Sequence, residues 1–538
     1  MELMLVRSTV VNKEIQGGMS ALFFAALKLF WDDAGHDLAL AGVSVKLFDG
    51  TQARIFMKLA IVISDEAALH AMFACKGSSG LKPCLLCQNV YTFKNVRNVV
   101  ENDSTGIAQY HTCSDWRKLQ LHTPGTIRAI ASRLSAAAAS TMTKANMAEL
   151  EIRLGWNYIP ESLIFQPRAR HICDLTSCVV FDWMHVFFVH GIFNSHVGVM
   201  MWKLKECGIT YATLQQYAAA WHWPSFMGQD AADVFCPKRA KSSWDDGSLK
   251  ATASEGLSLL PILANFAQSL VDNGITSAAV RDHARCFVML ADIVRLIQRC
   301  SRLQVDPDEL QLELCKYLDA FKRLYGEEWM VPKFHFAIHF PDYLRRFGFV
   351  PSCFVLERKH KVPKRFANEV TNTSSAWEAS VLREVTCHRI AAIMTDHFGT
   401  NVGLQTACRC SKKLQATLQQ VFPHGAEQKI VYETSHTARI NAWERCSQGD
   451  VVMLKMPDGA FGVAEVSVHV AVRAEQQQPL YLSMVRMWEE TSSGARSSKW
   501  QRRNNASFVY TEALQCSVIW ATSGSIATVL RPWQIDLE

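Results

Sequence analysis

The sequence is short of the features that mark several protein classes. Its first residues, Met1-Glu2-Leu3-Met4-Leu5-Val6-Arg7, have neither the basic flank nor the small-residue cleavage site of a secretory signal, so nothing in them points to export. Low-complexity tracts and internal repeats are missing, and 27 Gly and 16 Pro in a 538-residue chain that is 49% hydrophobic exclude a collagen-like or mostly disordered protein. The most apolar stretch, Val179 to Trp202, is interrupted by Asp182, His185, His190, Asn194 and His196, so a buried helix is expected there and not a membrane span. Neither sign of charge dominates: 56 Lys+Arg against 50 Asp+Glu leave a net +6. Affinity for nucleic acid would therefore have to come from basic residues gathered on one surface. The 17 cysteines are odd in number and lack the regular spacing of a disulfide scaffold, which predicts a reducing compartment where most are small core residues.

The length allows two or three domains. Leu3–Val11 reads as a short strand and Met19–Trp31 as a helix packed on most sides. Val43–Phe48 and Arg54–Ile63 read as strands joined across the turn signal Asp49-Gly50, and the second is apolar enough to be central in a sheet. It ends at Ser64-Asp65-Glu66; Ala67–Ala74 is helical, and a Gly/Ser loop leads to Pro83-Cys84-Leu85-Leu86-Cys87. Helical periodicity then dominates over Ile127–Leu154, Val179–Met201, Tyr211–Trp221, Glu255–Val271, Ala278–Arg299 and Pro307–Tyr325, with Pro237–Ser254 expected as a loop. A basic helical segment runs from Phe354 to Val370. Beyond Ala407, the runs Asp450–Lys455, Phe461–Val472, Leu480–Trp488, Ser507–Thr511 and Cys516–Ala521 predict an antiparallel barrel of about 100 residues.

Four features carry chemistry. Asp65-Glu66 closes an apolar strand, where an α/β sheet exposes functional residues, although such a pair on its own more often marks a helix start, with Asp65 as the cap. Cys84 and Cys87 form a CxxC turn able to give Zn²⁺ half of a tetrahedral shell. His335 and His339, four apart, place both imidazoles on one side of a helical turn and can supply the other half. Glu357 lies among Arg358, Lys359, His360, Lys361, Lys364 and Arg365, a pattern that suits a metal-bound carboxylate beside phosphate-binding side chains or a plain solvated face. Asp182 and His185, three apart in an apolar segment, can pair with each other or with backbone groups, or contact metal or DNA.

In order and spacing these features resemble the catalytic half of the CACTA (En/Spm-like) DDE transposases, a superfamily related to the V(D)J recombinase catalytic subunit. Cys84 follows Asp65 by 19 positions (65 to 84), and Glu357 follows His339 by 18 (339 to 357). Gly80–Cys87 is similar to the family segment after the second catalytic Asp. Asp182-Trp183-Met184-His185 resembles its D-x-M-H motif, and Lys333–Pro341 with Phe354–Lys361 its KFH…H-P…FER region.

The resemblance covers roughly residues 1–400 and implies an RNase-H-like catalytic fold, incomplete at its N-terminus, interrupted by a large all-helical insertion and followed by a small antiparallel β-barrel. The expected segments are 1–124 and 329–406 for the core, 125–328 for the insertion, 407–440 for a linker and 441–538 for the barrel. It further implies structural Zn²⁺ on Cys84, Cys87, His335 and His339, and Mg²⁺ or Mn²⁺ on Asp65 and Glu357. Arg358, Lys359, Lys361, Lys364 and Arg365 would contact DNA at transposon ends in the nucleus. Self-association is compatible with this reading, and neither membrane nor small-molecule substrate is expected. The first catalytic Asp of such a fold would lie upstream of Met1, since Asp32 and Asp33 follow the helix and Asp49 sits in a turn. The chain alone is then expected to be inactive. A non-catalytic, zinc-stabilised nuclear DNA- or chromatin-binding protein is the alternative, and core packing of all the Cys and His in an unrelated helical protein is a third reading.

Overall fold

The computed structural model describes residues 8–31, 37–78, 80–92, 107–167, 172–227, 230–273, 276–300, 305–370, 377–394, 402–421, 430–441, 444–474 and 478–532. The fold is mixed α/β, divided into two compact units: Met1–Val199 with Leu303–Ile390, and Met200–Arg302 with Ala391–Glu538.

In the first unit, Ser8–Lys13 is helical where the sequence predicts a strand. Burial of Val11 against its neighbours outweighs the β preference of the Val pair, and residues 1–7 lie outside the described part. The helix Gly18–Trp31 forms as expected but buries only Ser20 and Leu27, not most of its surface. Val43–Lys46 and Gln52–Ile55 make the expected hairpin, Val43 opposite Ile55, around Gly50 with φ 86°.

The long strand expected over Arg54–Ile63 is two pieces. At Met57 the backbone N–H donates to the Leu38 carbonyl (2.8 Å), a turn residue, and the chain returns to strand only at Val62–Ser64. That strand pairs in parallel with Val179–Phe181, Val62 opposite Val179 and Ser64 opposite Phe181. Among the described residues this pair is a two-stranded sheet of its own and not the centre of a larger one.

The apolar stretch Val179 to Trp202 is likewise not one helix. It is a strand, a short helix Trp183–Phe188, and a helix Ile192–Lys205. The break falls at His190 (φ 46°) and Gly191, where a Cβ would sit 2.2 Å from the Val186 carbonyl oxygen, so only glycine fits. Ile127–Leu154 also divides, into Pro124–Ala138 and Lys144–Leu154, because Thr123 and Thr143 each cap a new helix start. Helices Pro307–Tyr325, Pro332–Ala337, Phe340–Phe347 and Phe354–Glu369 complete the unit's core, with Phe336 stacked on Phe181 at 4.2 Å.

In the second unit, Ala253–Asp272 and Ala278–Arg299 match the expected helices. Half of the expected loop 237–254 is instead the helix Pro237–Asp246, fixed by Arg239, whose guanidinium donates to the Lys250 carbonyl and to both Glu255 oxygens.

Four of the five expected terminal strands form, but the run Cys516–Ala521 is split between Leu514–Ser517 and Trp520–Ser523, which join different sheets. Further strands include Glu489–Ser493, Ser497–Gln501 and Ile526–Leu530, and among the described residues no closed barrel results. One antiparallel sheet of seven strands runs from Ala506–Tyr510 to Cys408–Arg409. A second of five runs from Glu489–Ser493 to Trp221–His222, a strand lent by the helical segment. Both sheets keep open edges, which closure would remove. The strand Val451–Lys455 shows how they are cored: Val451 and Met453 enter one apolar cluster, Val452 and Leu454 another, so both of its faces are buried. Among the described residues no helix is long and apolar enough to cross a membrane.

Candidate metal centre

The CxxC turn is shaped locally. The Leu86 N–H points at Cys84 Sγ (3.4 Å), and the buried His70 donates from Nε2 to the Pro83 carbonyl (3.1 Å), fixing the loop from below. His335 lies in the helix Pro332–Ala337 and His339 just beyond it, still in helical conformation, so the two rings meet edge to face at 5.2 Å. The helix is approached by a third buried histidine: His111 donates from Nε2 to the Met330 carbonyl (2.7 Å) and has Nδ1 3.4 Å from the Tyr91 carbonyl.

These supports bring Cys84, Cys87, His335 and His339 together, all buried, with one ligand atom from each lying within 4.8 Å of the others. His339 Nε2 is 3.4 Å from Cys84 Sγ and 3.6 Å from Cys87 Sγ. A tetrahedral Zn²⁺ shell with ordinary Zn–S and Zn–N bonds has ligand–ligand edges of roughly 3.3–3.8 Å, so these separations need little adjustment. Both ring nitrogens of His335 are buried without a hydrogen-bond partner, the unsatisfied state a cation would relieve.

Burial alone would raise the Cys84 thiol, but the hydrogen bond from Cys87 and the nearby imidazoles outweigh it and hold Cys84 well below the usual thiol range. Burial, then Cys84 itself, pushes Cys87 well above that range, and burial keeps His335 neutral. Two sulfurs and two imidazole nitrogens are a donor set for a borderline-soft ion such as Zn²⁺, not for Mg²⁺.

Next to this centre is the carboxyl edge of the parallel pair. Asp65 follows Ser64 and Asp182 follows Phe181, so both acids leave neighbouring strands at the same edge. Asp65 Oδ1 accepts from the Ala68 N–H (2.6 Å), as the capping reading expects. Asp182, 1% exposed, has both oxygens engaged: Oδ1 accepts from the N–H groups of Met184 (3.0 Å) and Cys353 (2.8 Å), and Oδ2 from the His185 N–H (3.2 Å) and the His185 Nδ1. With the Cys353 thiol, Asp182 and His185 form a second group of closely spaced ligand atoms.

The bond to Cys353 ties this edge to the start of the helix Phe354–Glu369. The Trp183 N–H facing the Pro351 carbonyl (3.4 Å) and Trp183 edge-on to Phe354 (5.2 Å) reinforce the tie. Glu357 and Arg358 lie in the first turns of that helix, their side chains outside the described part. Lys359, Lys361, Lys364 and Arg365 are exposed along it, Arg365 paired with Glu369 at 3.1 Å. Of the upstream acids, Asp49 accepts from the Thr51 N–H in its turn (2.9 Å), and Asp32 and Asp33 lie outside the described residues.

Sequence reasoning missed Lys333. Its ammonium donates to the Val189 carbonyl (2.6 Å), lies 4.0 Å from Glu66 Oε2 and feels the charges of Glu66, Asp65 and Asp182. Burial is the larger influence and lowers its proton affinity. The available signal was a lone cation inside the apolar run Phe334–Ile338 and its flank, two residues before His335. No protein-family model and no curated protein matches the chain.

Proposed function

We propose that this chain derives from a DDE transposase of the CACTA type. In this reading it acts in the nucleus on DNA phosphodiesters at transposon ends, with a structural Zn²⁺ on Cys84, Cys87, His335 and His339. One observation carries the reading. Residues 255 positions apart (84 to 339) converge on one buried four-ligand centre in the order the family pattern requires, and the Glu357 helix begins at the edge that bears Asp65. Zinc there would pin the ends of the long intervening segment, so that the Glu357 helix keeps its place beside Asp65.

Mg²⁺ or Mn²⁺, when bound, would supply activation of water or a 3′-hydroxyl and charge neutralisation at the leaving oxygen. Asp65 and Glu357 would hold such ions: Asp65 keeps Oδ2 clear of its cap, while the neighbouring Asp182 has both oxygens committed. The described side chains therefore do not complete a two-metal shell, and no cleavage step is derived from them. What the chain's own residues offer is DNA attraction: exposed Lys359, Lys361 and Lys364 on one helix give salt-dependent, sequence-independent affinity.

The second reading, a non-catalytic zinc-stabilised nuclear DNA- or chromatin-binding protein, is favoured by Lys333, which puts a fixed cation among the acids. Nicking of supercoiled plasmid in Mg²⁺ or Mn²⁺, read beside duplex binding by fluorescence anisotropy, separates the two. Nicking that Glu357→Gln abolishes supports the transposase reading. Zinc and DNA binding without nicking and without preference for transposon-end duplexes supports the second, and zinc without DNA binding overturns both.

A further inference from the structure

The second unit carries a cation site unrelated to the metal centre. Where its two sheets meet, Trp488 and Trp520 lie edge to face at 5.3 Å, and His222 stacks on the other side of Trp520 at 4.2 Å. The strand register explains that stack, because Trp520 is directly opposite His222. The guanidinium of Arg502 sits over both indoles, 5.6 Å from the Trp488 ring and 5.3 Å from the Trp520 ring. Its Nη2 also reaches Glu465 Oε2 at 3.2 Å. Two indole faces and a carboxylate converging on one positive group are the components by which proteins hold methylated ammonium or guanidinium side chains.

The occupant is more exposed than the carboxylate and the Trp488 indole that hold it. Arg502 is exposed in the non-strand segment 502–505, whereas Trp488 is 4% exposed and belongs to the apolar core. Glu465 is also shared with Arg486 (3.5 Å), so it keeps a counter-charge if Arg502 leaves. Trp488 Nε1–H is buried with no acceptor, so the indole is held by its ring contacts alone.

We infer that Trp488, Trp520 and Glu465 form a recognition site for a cationic side chain of a partner peptide, a methylated lysine or an arginine, and that Arg502 occupies the site until that guest displaces it. A guest ammonium would take the indole faces and the Glu465 charge while Arg502 turns into solvent, a one-for-one exchange of cations that leaves the site's charge unchanged.

The test uses the full chain and four eight-residue peptides of one sequence, with trimethyl-lysine, arginine, lysine or alanine at the centre. Binding is read from indole ¹H–¹⁵N shifts and tryptophan fluorescence. Arg502→Ala should tighten binding of the trimethyl-lysine or arginine peptide about tenfold, since it removes an internal competitor held by cation–π contact and an ion pair. Trp520→Phe and Glu465→Gln should each weaken it, with an unchanged far-ultraviolet circular dichroism spectrum of the peptide-free protein as evidence of folding. The better binder of the trimethyl-lysine and arginine peptides identifies the guest. The proposal is overturned if Arg502→Ala binds no tighter than the parent, or if the alanine peptide binds as well as the cationic ones.

Discussion

Replacing Asp182 should cost far more than replacing Asp65, although the two acids end neighbouring strands. Asp65→Ala removes one helix cap and should destabilise by about 1 kcal/mol. Asp182→Ala leaves three backbone N–H groups, those of Met184, His185 and Cys353, and the His185 ring without their acceptor. At about 1–3 kcal/mol for each buried donor left unpaired, and with some reached by water, the loss should be about 4 kcal/mol. That is a large part of the stability of an ordinary domain. It should also be local: the Cys353 bond anchors the helix Phe354–Glu369, so amide exchange in that helix should accelerate more than in Pro307–Tyr325. Chemical denaturation of both variants, with exchange followed by mass spectrometry, tests this. Equal destabilisation by the two substitutions, or unchanged exchange in Phe354–Glu369, would refute the assignment of Asp182 as the anchor.

Other outcomes follow from the same geometry. Stripping metal with a chelator should leave the ligating His335 nitrogen buried and unpaired, at a cost of about 1–3 kcal/mol and a fall in melting temperature of about 2–6 °C. Cys84→Ser should lose about one equivalent of zinc per chain by elemental analysis. His469 is fully buried between the Ser483 hydroxyl (2.8 Å) and the Cys446 carbonyl (3.0 Å), and burial pushes it down to about 4 from the ordinary 6.5. The folded state therefore refuses a proton that the unfolded chain accepts. Stability is full above pH 6.5 and should fall by about 3 kcal/mol as pH drops towards 4, a loss that His469→Gln should flatten in denaturation curves. Replacing Lys359, Lys361 and Lys364 together by Ala should weaken duplex binding for all sequences and reduce the log–log salt slope by about 0.9 for each phosphate no longer neutralised.

What can be read from sequence is local. CxxC and HxxxH each bring two donors together through their own backbone, and the capped, strongly amphipathic helices Ala253–Asp272 and Ala278–Arg299 declare both ends. The rest depends on partners far along the chain. Nothing near Asp182 says that its carboxylate will hold a backbone N–H 171 positions away. Nothing in Arg54–Ile63 says that Met57 will bond to a turn instead of a strand. Gly191 reads as an ordinary small residue in an apolar run, and only the approach of the Val186 carbonyl shows why the chain must turn there. The expected barrel fails for a related reason. Alternation reveals strands but not whether the last edge closes on the first, and here Trp221–His222, far upstream, takes one edge instead.

The proposed function rests on one zinc ion joining the CxxC turn to the His335 and His339 turn. X-ray absorption at the zinc edge of the purified full chain tests it most directly. The expected result is about one zinc per chain with two sulfur neighbours at about 2.3 Å and two imidazole nitrogens at about 2.0 Å. An all-sulfur or oxygen-rich shell, or a protein without zinc, would contradict it.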